Sequence, residues 1–336
     1  MGNVKSQKKL NKPLKILISV LTAFLLFVGF LLFMVLFDFG DEPQTYETDN
    51  PYIVEYGKTM TSAHRSGAGI FPENTMMAFE GCINSDEFKT DIFEFDLHIT
   101  KDSELILLHD STLDRTTDAE EVFDTRGVRP ENYTYEELRQ INFGDGFKDE
   151  KGEYPYKGLK GEAVPENLKA AKLQDVLEYL GTNGDFRYII EIKNGGELGF
   201  KATDILYEVL SEMNMLDMVV VGTFNGEVSR YITDNYPLMH RSAGIFEVVV
   251  VYIASLFNFS LSEDFFTFSA LQVPHDTPII DLCTPRFCNY AHKNNLAVQY
   301  WTVNDAEKAV LLEKAGADCV MSDIPDVVYE VLNTDE

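Results

Sequence analysis

The stretch 94–98, "EFDLH", places Glu94, Asp96 and His98 at alternate positions. Side chains two apart on a β-strand lie on the same face, so two carboxylates would project together from one strand. Their burial is costly unless a cation neutralises them, and Mg²⁺ and Ca²⁺ prefer carboxylate oxygens. The pattern predicts metal ligation by Glu94 and Asp96, with a solvated polar strand face as the alternative. No role is assigned to His98.

Three other apolar segments end in residues that could act on a phosphate. His64 and Arg65 follow "TMTSA", His109 ends "ELILLH", and Glu191 and Lys193 lie two apart in "RYIIEIK". If these segments are strands of one barrel, their carboxyl ends meet at one mouth. Two imidazoles, three carboxylates and two cations there would suit general acid–base cleavage at a phosphate. Each residue taken alone is also compatible with a structural role.

Two further side chains have alternative interpretations. Trp301, the only tryptophan, lies in "VQYWTVND" and is either a core aromatic or a wall of the substrate-binding pocket. Asp323 ends "DCVMSD", where it suits a turn as well as a site.

Apolar segments alternate with amphipathic ones from about residue 59 to 332. This alternation predicts an α/β fold, and its length suits a (β/α)8 TIM barrel. Nine segments qualify for eight strand positions, so at least one assignment is expected to be wrong. Residues 97–104 also leave no room for a crossover helix before "ELILLH". The candidate strands are "TMTSAH", "DIFEFDLHIT", "ELILLH", "RYIIEIK", "MVVVGTF", "LMHRSAG", "FSALQVP", "AVQYWTV" and "DCVMSD". The predicted helices span 74–84, 172–182, 198–213, 225–235, 282–294 and 305–315.

Two segments depart from this alternation. Residues 111–170 are polar with scattered glycine and proline, which predicts a small insertion subdomain with one short helix near 134–141. Residues 245–258, "IFEVVVVYIASLFN", are too short to span a membrane. They are interpreted either as a buried or sheet-facing helix or as a hydrophobic flap against a bilayer or a lipid chain.

Residues 16–37 form a run of 22 residues without a charge, about 33 Å long as a helix, which predicts a transmembrane helix. Lysines precede the run and acids follow it. The positive-inside bias therefore predicts a cytoplasmic tail at 1–15 and an extracytoplasmic domain anchored to the cell membrane. Residues 38–58 are acidic and aperiodic, which predicts a linker between the transmembrane helix and this domain. A cleaved signal peptide is the alternative, but the run is longer than a typical signal and no small-x-small cleavage site follows.

The 336 residues carry a net charge of −27. Since the first 37 contain five lysines and no acid, the remainder holds 23 basic and 55 acidic residues, a net charge of −32. Such a surface repels phosphate backbones, which argues against nucleic-acid binding, and an anionic substrate needs local positive charge. The four cysteines form no CxxC pair, so buried free thiols are expected, with a bridge between Cys283 and Cys288 as the alternative.

Taken together, the motifs resemble the glycerophosphodiester phosphodiesterase family, barrel enzymes similar to phosphatidylinositol phospholipase C. The pattern "HR…PENT..AF" lies at 64–79 and "EFDLHITKDSELILLHDSTLDRTT" at 94–117. The motifs "EIK", "WTVND" and "GADCVMSDIPD" follow in the family's order, so the resemblance covers roughly residues 60–332.

The resemblance implies hydrolysis of glycerophosphodiesters to sn-glycerol 3-phosphate and an alcohol, with attack by the glycerol 2-hydroxyl through a cyclic phosphate. It also implies that the insertion at 111–170 caps the glycerol side of the substrate. The resemblance implies that Glu94, Asp96 and Glu191 bind Ca²⁺ or Mg²⁺. It implies that His64 and His109 are the acid–base pair. It also implies that Arg65 and Lys193 contact the phosphate.

Two positions depart from the family pattern: Ser66 replaces the usual glycine after "HR", and Ala171 replaces a proline ahead of the fourth strand. Neither removes an implied ligand or catalytic histidine. The substrate could be soluble, a lipid headgroup or a polyglycerolphosphate polymer. The alternatives are a lysophospholipase of type D or C that acts on membrane lipids and a catalytically idle barrel that binds phosphodiesters.

Overall fold

The computed structural model describes residues 12–37, 40–278 and 280–333. Residues 1–11 of the predicted cytoplasmic tail lie outside the described residues, as do residues 38 and 39 of the predicted linker. The N-terminal helix α1 (Lys12–Leu36) is long and apolar enough to cross a membrane, judged by length and composition alone.

The elements that follow α1 alternate between strands and helices. The strands are β1 (Met60–Ala63), β2 (Ile92–Ile99), β3 (Leu105–Leu107), β4 (Arg187–Ile192), β5 (Val219–Gly222), β6 (Ala270–Pro274), β7 (Ala297–Trp301) and β8 (Cys319–Ser322). The helices are α2 (Met76–Ile83), α3 (Ala119–Phe123), α4 (Tyr135–Leu138), α5 (Leu173–Asn183), α6 (Gly196–Glu212), α7 (Gly226–Asn235), α8 (Ile245–Phe257), α9 (Pro285–Lys293), α10 (Ala306–Ala315) and α11 (Pro325–Leu332).

Seven of these strands form a nearly closed parallel barrel in the order β5-β4-β2-β1-β8-β7-β6. Between β5 and β6, Arg241 and Ser242 make isolated parallel bridges to Val221 and Ala270, so their segment fills the eighth position. The predicted α/β barrel is confirmed. The surplus candidate was "ELILLH", which forms β3 and pairs antiparallel with β2, because the short connection before it allows a hairpin but no crossover helix.

The amino ends of the strands are closed by an apolar layer inside the barrel. Ile92, Ile189, Val220 and Ala297 form part of this layer, and Tyr52 covers it from below. Tyr52 is buried and its hydroxyl donates to the carbonyl oxygen of Asp217 at 3.1 Å. Since this end is filled with apolar side chains, the polar residues of the inner face are left at the carboxyl ends of the strands.

The segment between β3 and α5 packs as a small unit with its own apolar cluster. Leu113, Val128, Leu138 and Phe143 are buried there against Ile106 of β3. The predicted short helix is α4, which begins with a capping box, whereas α3 was not predicted. The unit therefore rests on the β2–β3 hairpin at the carboxyl end of the barrel.

Each of the six other predicted helices is present within a few residues of its expected bounds, and α11 was not predicted. The segment 245–258 forms α8, in which Val251, Tyr252 and Ala254 are buried while Ile245 and Phe246 are exposed. Both sides of this helix are apolar. All four cysteines are free thiols, and three of them are buried.

Candidate active site

A cavity of about 950 Å³ opens at the carboxyl ends of the strands. Seven of the eight predicted site residues line it, namely His64, Arg65, Glu94, His109, Glu191, Lys193 and Trp301. The eighth, Asp96, is 1% exposed and lies beside Glu94 and Glu191. The fold thus gathers all eight residues at one place, although they come from five separate segments of the chain.

Glu94, Asp96 and Glu191 form a compact group, called the acidic cluster below, in which one oxygen from each carboxylate lies within 4.8 Å of the other two. Asp96 of β2 pairs in register with Glu191 of β4, so alternation along both strands brings the three carboxylates to one face. Burial, helped by the neighbouring Asp96 charge, raises the pKa of Glu94, and burial raises the pKa of Glu191. Two buried carboxylates and one partly buried carboxylate this close repel one another, and this donor set fits a divalent cation that prefers oxygen.

The turn after β1 supports the acidic cluster. The backbone N–H of Arg65 donates to Oε2 of Glu94 at 2.6 Å, and Nδ2 of Asn74 donates to Oδ2 of Asp96 at 2.9 Å. The backbone N–H of Asp96 donates in return to Oδ1 of Asn74 at 3.2 Å. Arg65 and Ser66 have φ angles of 48° and 64°, in the left-handed region that L residues rarely adopt. This unusual turn aims the Arg65 amide at the cluster.

His64 is held by a carboxylate from the opposite end of the chain. Its Nδ1 lies 2.7 Å from Oδ1 of Asp323, whose Oδ2 accepts from Nδ2 of Asn304 at 2.7 Å. The other ring nitrogen, Nε2, lies 3.9 Å from Oε2 of Glu94. Burial lowers the pKa of His64, but the Glu94 and Asp323 carboxylates outweigh burial and raise it above its usual value. His64 is therefore suited to carry a proton near neutral pH.

His109 has an equivalent carboxylate partner. Its Nδ1 lies 2.7 Å from Oδ1 of Asp110, and Nε of Arg115 donates to Oδ2 of Asp110 at 2.7 Å. The terminal nitrogens of Arg115 also donate to both oxygens of Glu73, at 2.8 and 2.7 Å. Hydrogen bonds from Arg115 and His109 hold the pKa of Asp110 well below its usual value, so this carboxylate stays ionised. Both cavity histidines thus have an oriented Nδ1.

Two cations lie over the acidic cluster. Nζ of Lys193 is 2.9 Å from Oε1 of Glu191 and 3.4 Å from Oδ1 of Asp96. Arg65 lies on the other side, with Nη1 3.4 Å from Oε1 of Glu73 and Nε 4.0 Å from Oδ2 of Asp96. Within the described part of the chain, the buried Nε of Arg65 has no hydrogen-bond acceptor. It is available to an anion in the cavity.

Trp301 lies on the cavity wall, where its ring packs edge-on against Phe224 with centroids 5.9 Å apart. The first turns of α8 continue this wall with the apolar side chains of Ile245, Phe246 and Val249. One side of the cavity is therefore charged and the other is apolar.

His98 follows Asp96 on the same face of β2 but is not a member of the acidic cluster. Burial lowers its pKa to about 4, so the ring is neutral at physiological pH. The sequence motifs left two supporting residues, Asn74 and Asp110, without a role in the site, and left Asp323 with either a turn or a site role. Asp110 directly follows His109 and Asp323 ends a barrel strand, and these positions were the available signals.

The fold and the cavity define the class first: a TIM-barrel enzyme with its polar groups at the carboxyl ends of the strands. The model of the glycerophosphoryl diester phosphodiesterase family matches residues 64–327, so the chain belongs to that family and is a phosphoric diester hydrolase.

Individual relatives agree with this assignment. The chain is 27% identical over 275 residues to a glycerophosphodiester phosphodiesterase from Caldanaerobacter subterraneus subsp. tengcongensis. This match covers 82% of this chain and 98% of the relative. A solved glycerophosphodiester phosphodiesterase from Agrobacterium tumefaciens superposes with a TM-score of 0.60 at 18% identity, over 81% of this chain and 99% of that one. An Oleispira antarctica phosphodiesterase, solved with the product sn-glycerol-3-phosphate, has a TM-score of 0.59 at 19% identity, over 82% of this chain and 97% of that one.

Proposed function

We propose that this protein is a metal-dependent phosphodiesterase that hydrolyses glycerophosphodiesters to sn-glycerol 3-phosphate and an alcohol. One observation carries the proposal: two histidines, each bonded through Nδ1 to a carboxylate, border a cavity that also contains the acidic cluster. Family membership supports the reaction class. The arrangement would supply two proton carriers and an oxygen-rich cation site in one cavity.

The acidic cluster would hold Ca²⁺ or Mg²⁺, because its three carboxylates, two of them buried and one partly buried, repel one another and offer only oxygen donors. When bound, the ion neutralises negative charge on the phosphate. Arg65 and Lys193 would contact the non-bridging phosphate oxygens, since both cations border the cluster. This local positive charge offsets the repulsion from a domain that is strongly acidic overall.

The two histidines divide the proton transfers. As the bond between phosphorus and the leaving alcohol oxygen breaks, His64 delivers a proton to that oxygen, a role suited to its raised pKa. His109 accepts the proton of the attacking hydroxyl. If the glycerol 2-hydroxyl attacks first, water then opens the cyclic phosphate with the two roles reversed. The Nδ1 bonds to Asp323 and Asp110 keep each Nε2 directed at the substrate.

We infer the location of the enzyme from α1. The helix would cross the cell membrane with its lysine-bearing amino end in the cytoplasm and the barrel, residues 59–332, on the outside. The insertion at about 111–170 would cover the glycerol side of the cavity, and Trp301 with Phe224 would contact the substrate from the wall.

The test uses the full-length chain in detergent with glycerophosphocholine and glycerophosphoethanolamine as substrates. Release of sn-glycerol 3-phosphate should stop after EDTA treatment and return with Ca²⁺ or Mg²⁺. Glu191→Gln should raise the metal concentration for half-maximal activity at least about tenfold, because it removes one charged ligand. Glu197→Gln, an exposed acid in the first turn of α6, is the matched control. Full activity in EDTA would refute metal dependence.

A second candidate is a lysophospholipase of type D or C. It is favoured by the apolar cavity wall of Ile245, Phe246 and Val249, which could accept an acyl chain. With lysophosphatidylcholine, a type D enzyme releases choline and a type C enzyme releases phosphocholine. Turnover of this lipid without turnover of either glycerophosphodiester would favour the second candidate.

A further inference from the structure

Helix α8 is apolar on both of its sides. Val251, Tyr252 and Ala254 are buried against the barrel. On the other side, Ile245, Val249 and Ile253 recur every four residues and so form one stripe. We call this stripe, together with the flanking Phe246 and Phe259, the α8 face. The side chains of the α8 face are exposed to the following extents: Ile245 70%, Phe246 75%, Val249 41%, Ile253 48% and Phe259 58%. A surface helix of a protein in water normally carries polar residues there.

The N-terminal helix α1 lies against the end of α8. The rings of Phe30 and Phe257 are 6.1 Å apart between centroids, and Phe257 stacks on Phe259 at 5.4 Å. In the last turns of α1, the half-buried side chains include Val28 and Leu31, three residues apart on one side of the helix. The carboxyl-terminal part of α1 therefore packs on the barrel domain at α8.

The length of α1 fixes the depth of this contact. The uncharged run 16–37 is about 33 Å long, and a bilayer core is about 30 Å thick, so nearly the whole run is needed to cross it. If residues 28–37 lay outside the bilayer, only 16–27 would remain, about 18 Å of helix. Phe30 lies six residues before the end of α1, about 9 Å along its axis. Phe257, which touches Phe30, must therefore lie below the membrane surface.

Residues 41–44, which follow α1 in the sequence, are hydrogen-bonded to α9. Asp41 accepts a 2.8 Å hydrogen bond from Nε of Arg286 at the start of α9. Nδ2 of Asn289 donates to the Glu42 carbonyl, and Oδ1 of Asn289 accepts from the Gln44 amide, each at 2.8 Å. Residues 41–44 of the predicted linker are thus hydrogen-bonded along α9, and α9 packs beside α8.

We propose that the α8 face is embedded in the outer leaflet of the bilayer that α1 crosses. This inference rests on the proposed membrane anchoring. The domain carries a net charge of −32, so attraction to anionic headgroups does not hold it, and insertion of apolar side chains is the mechanism. Because Ile245, Phe246 and Val249 also line the cavity, the mouth of the active site opens at the membrane surface. Substrates with an acyl chain can then enter without leaving the leaflet.

The test measures the depth of single labels on the full-length chain in phosphatidylcholine vesicles. In a Cys283→Ser background, which leaves three buried native thiols, Ile253→Cys would carry an environment-sensitive fluorophore. Leu311→Cys on α10 is the matched control, since Leu311 is an exposed helical residue at 60%. Leu21→Cys, exposed in the middle of α1, reports on anchoring itself. Turnover of glycerophosphocholine by each labelled protein verifies its fold.

Lipids with a quencher on the acyl chain should quench labels 21 and 253 several-fold more than label 311, and iodide in the buffer should quench only label 311. Quenching of label 21 but not 253 by lipid would overturn this inference and leave the anchoring intact. Quenching of neither by lipid would overturn both. A label at 253 that neither quencher reaches would indicate a second copy of the chain on the α8 face, which also overturns the proposal.

Discussion

The hydrogen bond between His64 and Asp323 offers the sharpest test of how the site orients its acid. Asp323→Asn keeps the shape of the side chain and removes its charge. The asparagine side chain should stay in place, because it can still contact Nδ1 of His64 and the side-chain amide of Asn304. Its hydrogen bond to the imidazole is, however, no longer charge-assisted. His64 is 13% exposed and Asp323 27%, so solvent replaces little of what is lost.

A hydrogen bond to a charged group contributes about 1.5–3 kcal/mol, and each 1.4 kcal/mol is tenfold in rate. If the bond is fully used in the transition state, kcat/KM for glycerophosphocholine should fall about 10- to 150-fold. The Asp323 carboxylate also raises the pKa of His64, so its removal lowers that pKa. The limb of the pH profile governed by His64 should therefore move to lower pH.

The assay is the pH dependence of kcat/KM for the full-length protein, followed by release of sn-glycerol 3-phosphate. Asp305→Asn is the matched control, because Asp305 caps α10 in the same region and asparagine caps a helix equally well. The control should retain both rate and profile. If Asp323→Asn behaves like this control, the carboxylate neither orients nor charges His64 and the reasoning is refuted.

Two further predictions concern the turn that supports the acidic cluster. Ser66 has a φ of 64°, which glycine adopts without strain, so Ser66→Gly should raise the free energy of unfolding by about 1 kcal/mol. This gain should appear as a Tm about 2 °C higher in detergent. The control Ser211→Gly, within helix α6, should instead lower Tm. A fall in Tm for both variants would show that the left-handed turn is unstrained. Asn74→Ala removes two hydrogen bonds to Asp96. It should weaken Ca²⁺ or Mg²⁺ binding about 10- to 100-fold in a calorimetric titration. Unchanged binding would contradict the role of Asn74 in orienting Asp96.

The sequence predicted the barrel and the residues of its mouth because both depend on local regularities. Strand–helix alternation gives the parallel sheet, and alternation along β2 and β4 puts Glu94, Asp96 and Glu191 on one inner face. The ends of the other apolar segments gave the histidines and cations, and the resemblance to the family implied their roles. What the alternation could not give was the role of β3, which depends on a connection too short for a helix.

The supporting contacts were harder to predict because they join distant parts of the chain. Asp323 lies 259 residues after His64, and only closure of the barrel between β1 and β8 brings them together. The left-handed turn at Ser66 explains why glycine is usual there in the resembling family, but the strain is visible only in the backbone angles. The exposed side of α8 also required the structure, since an all-apolar helix has no sequence signal for which side is covered.

The proton-transfer roles of the two histidines are tested most directly by comparing wild-type protein with His64→Ala and His109→Ala. Hydrolysis of glycerophosphocholine is followed by ³¹P NMR in the presence of Ca²⁺ or Mg²⁺. In the wild type, the phosphodiester signal should convert to that of sn-glycerol 3-phosphate. Each variant should be slower by about 10²- to 10⁴-fold, the usual contribution of a positioned acid or base. Conversion at the wild-type rate by either variant would contradict the assignment of the two histidines as the proton carriers of this enzyme.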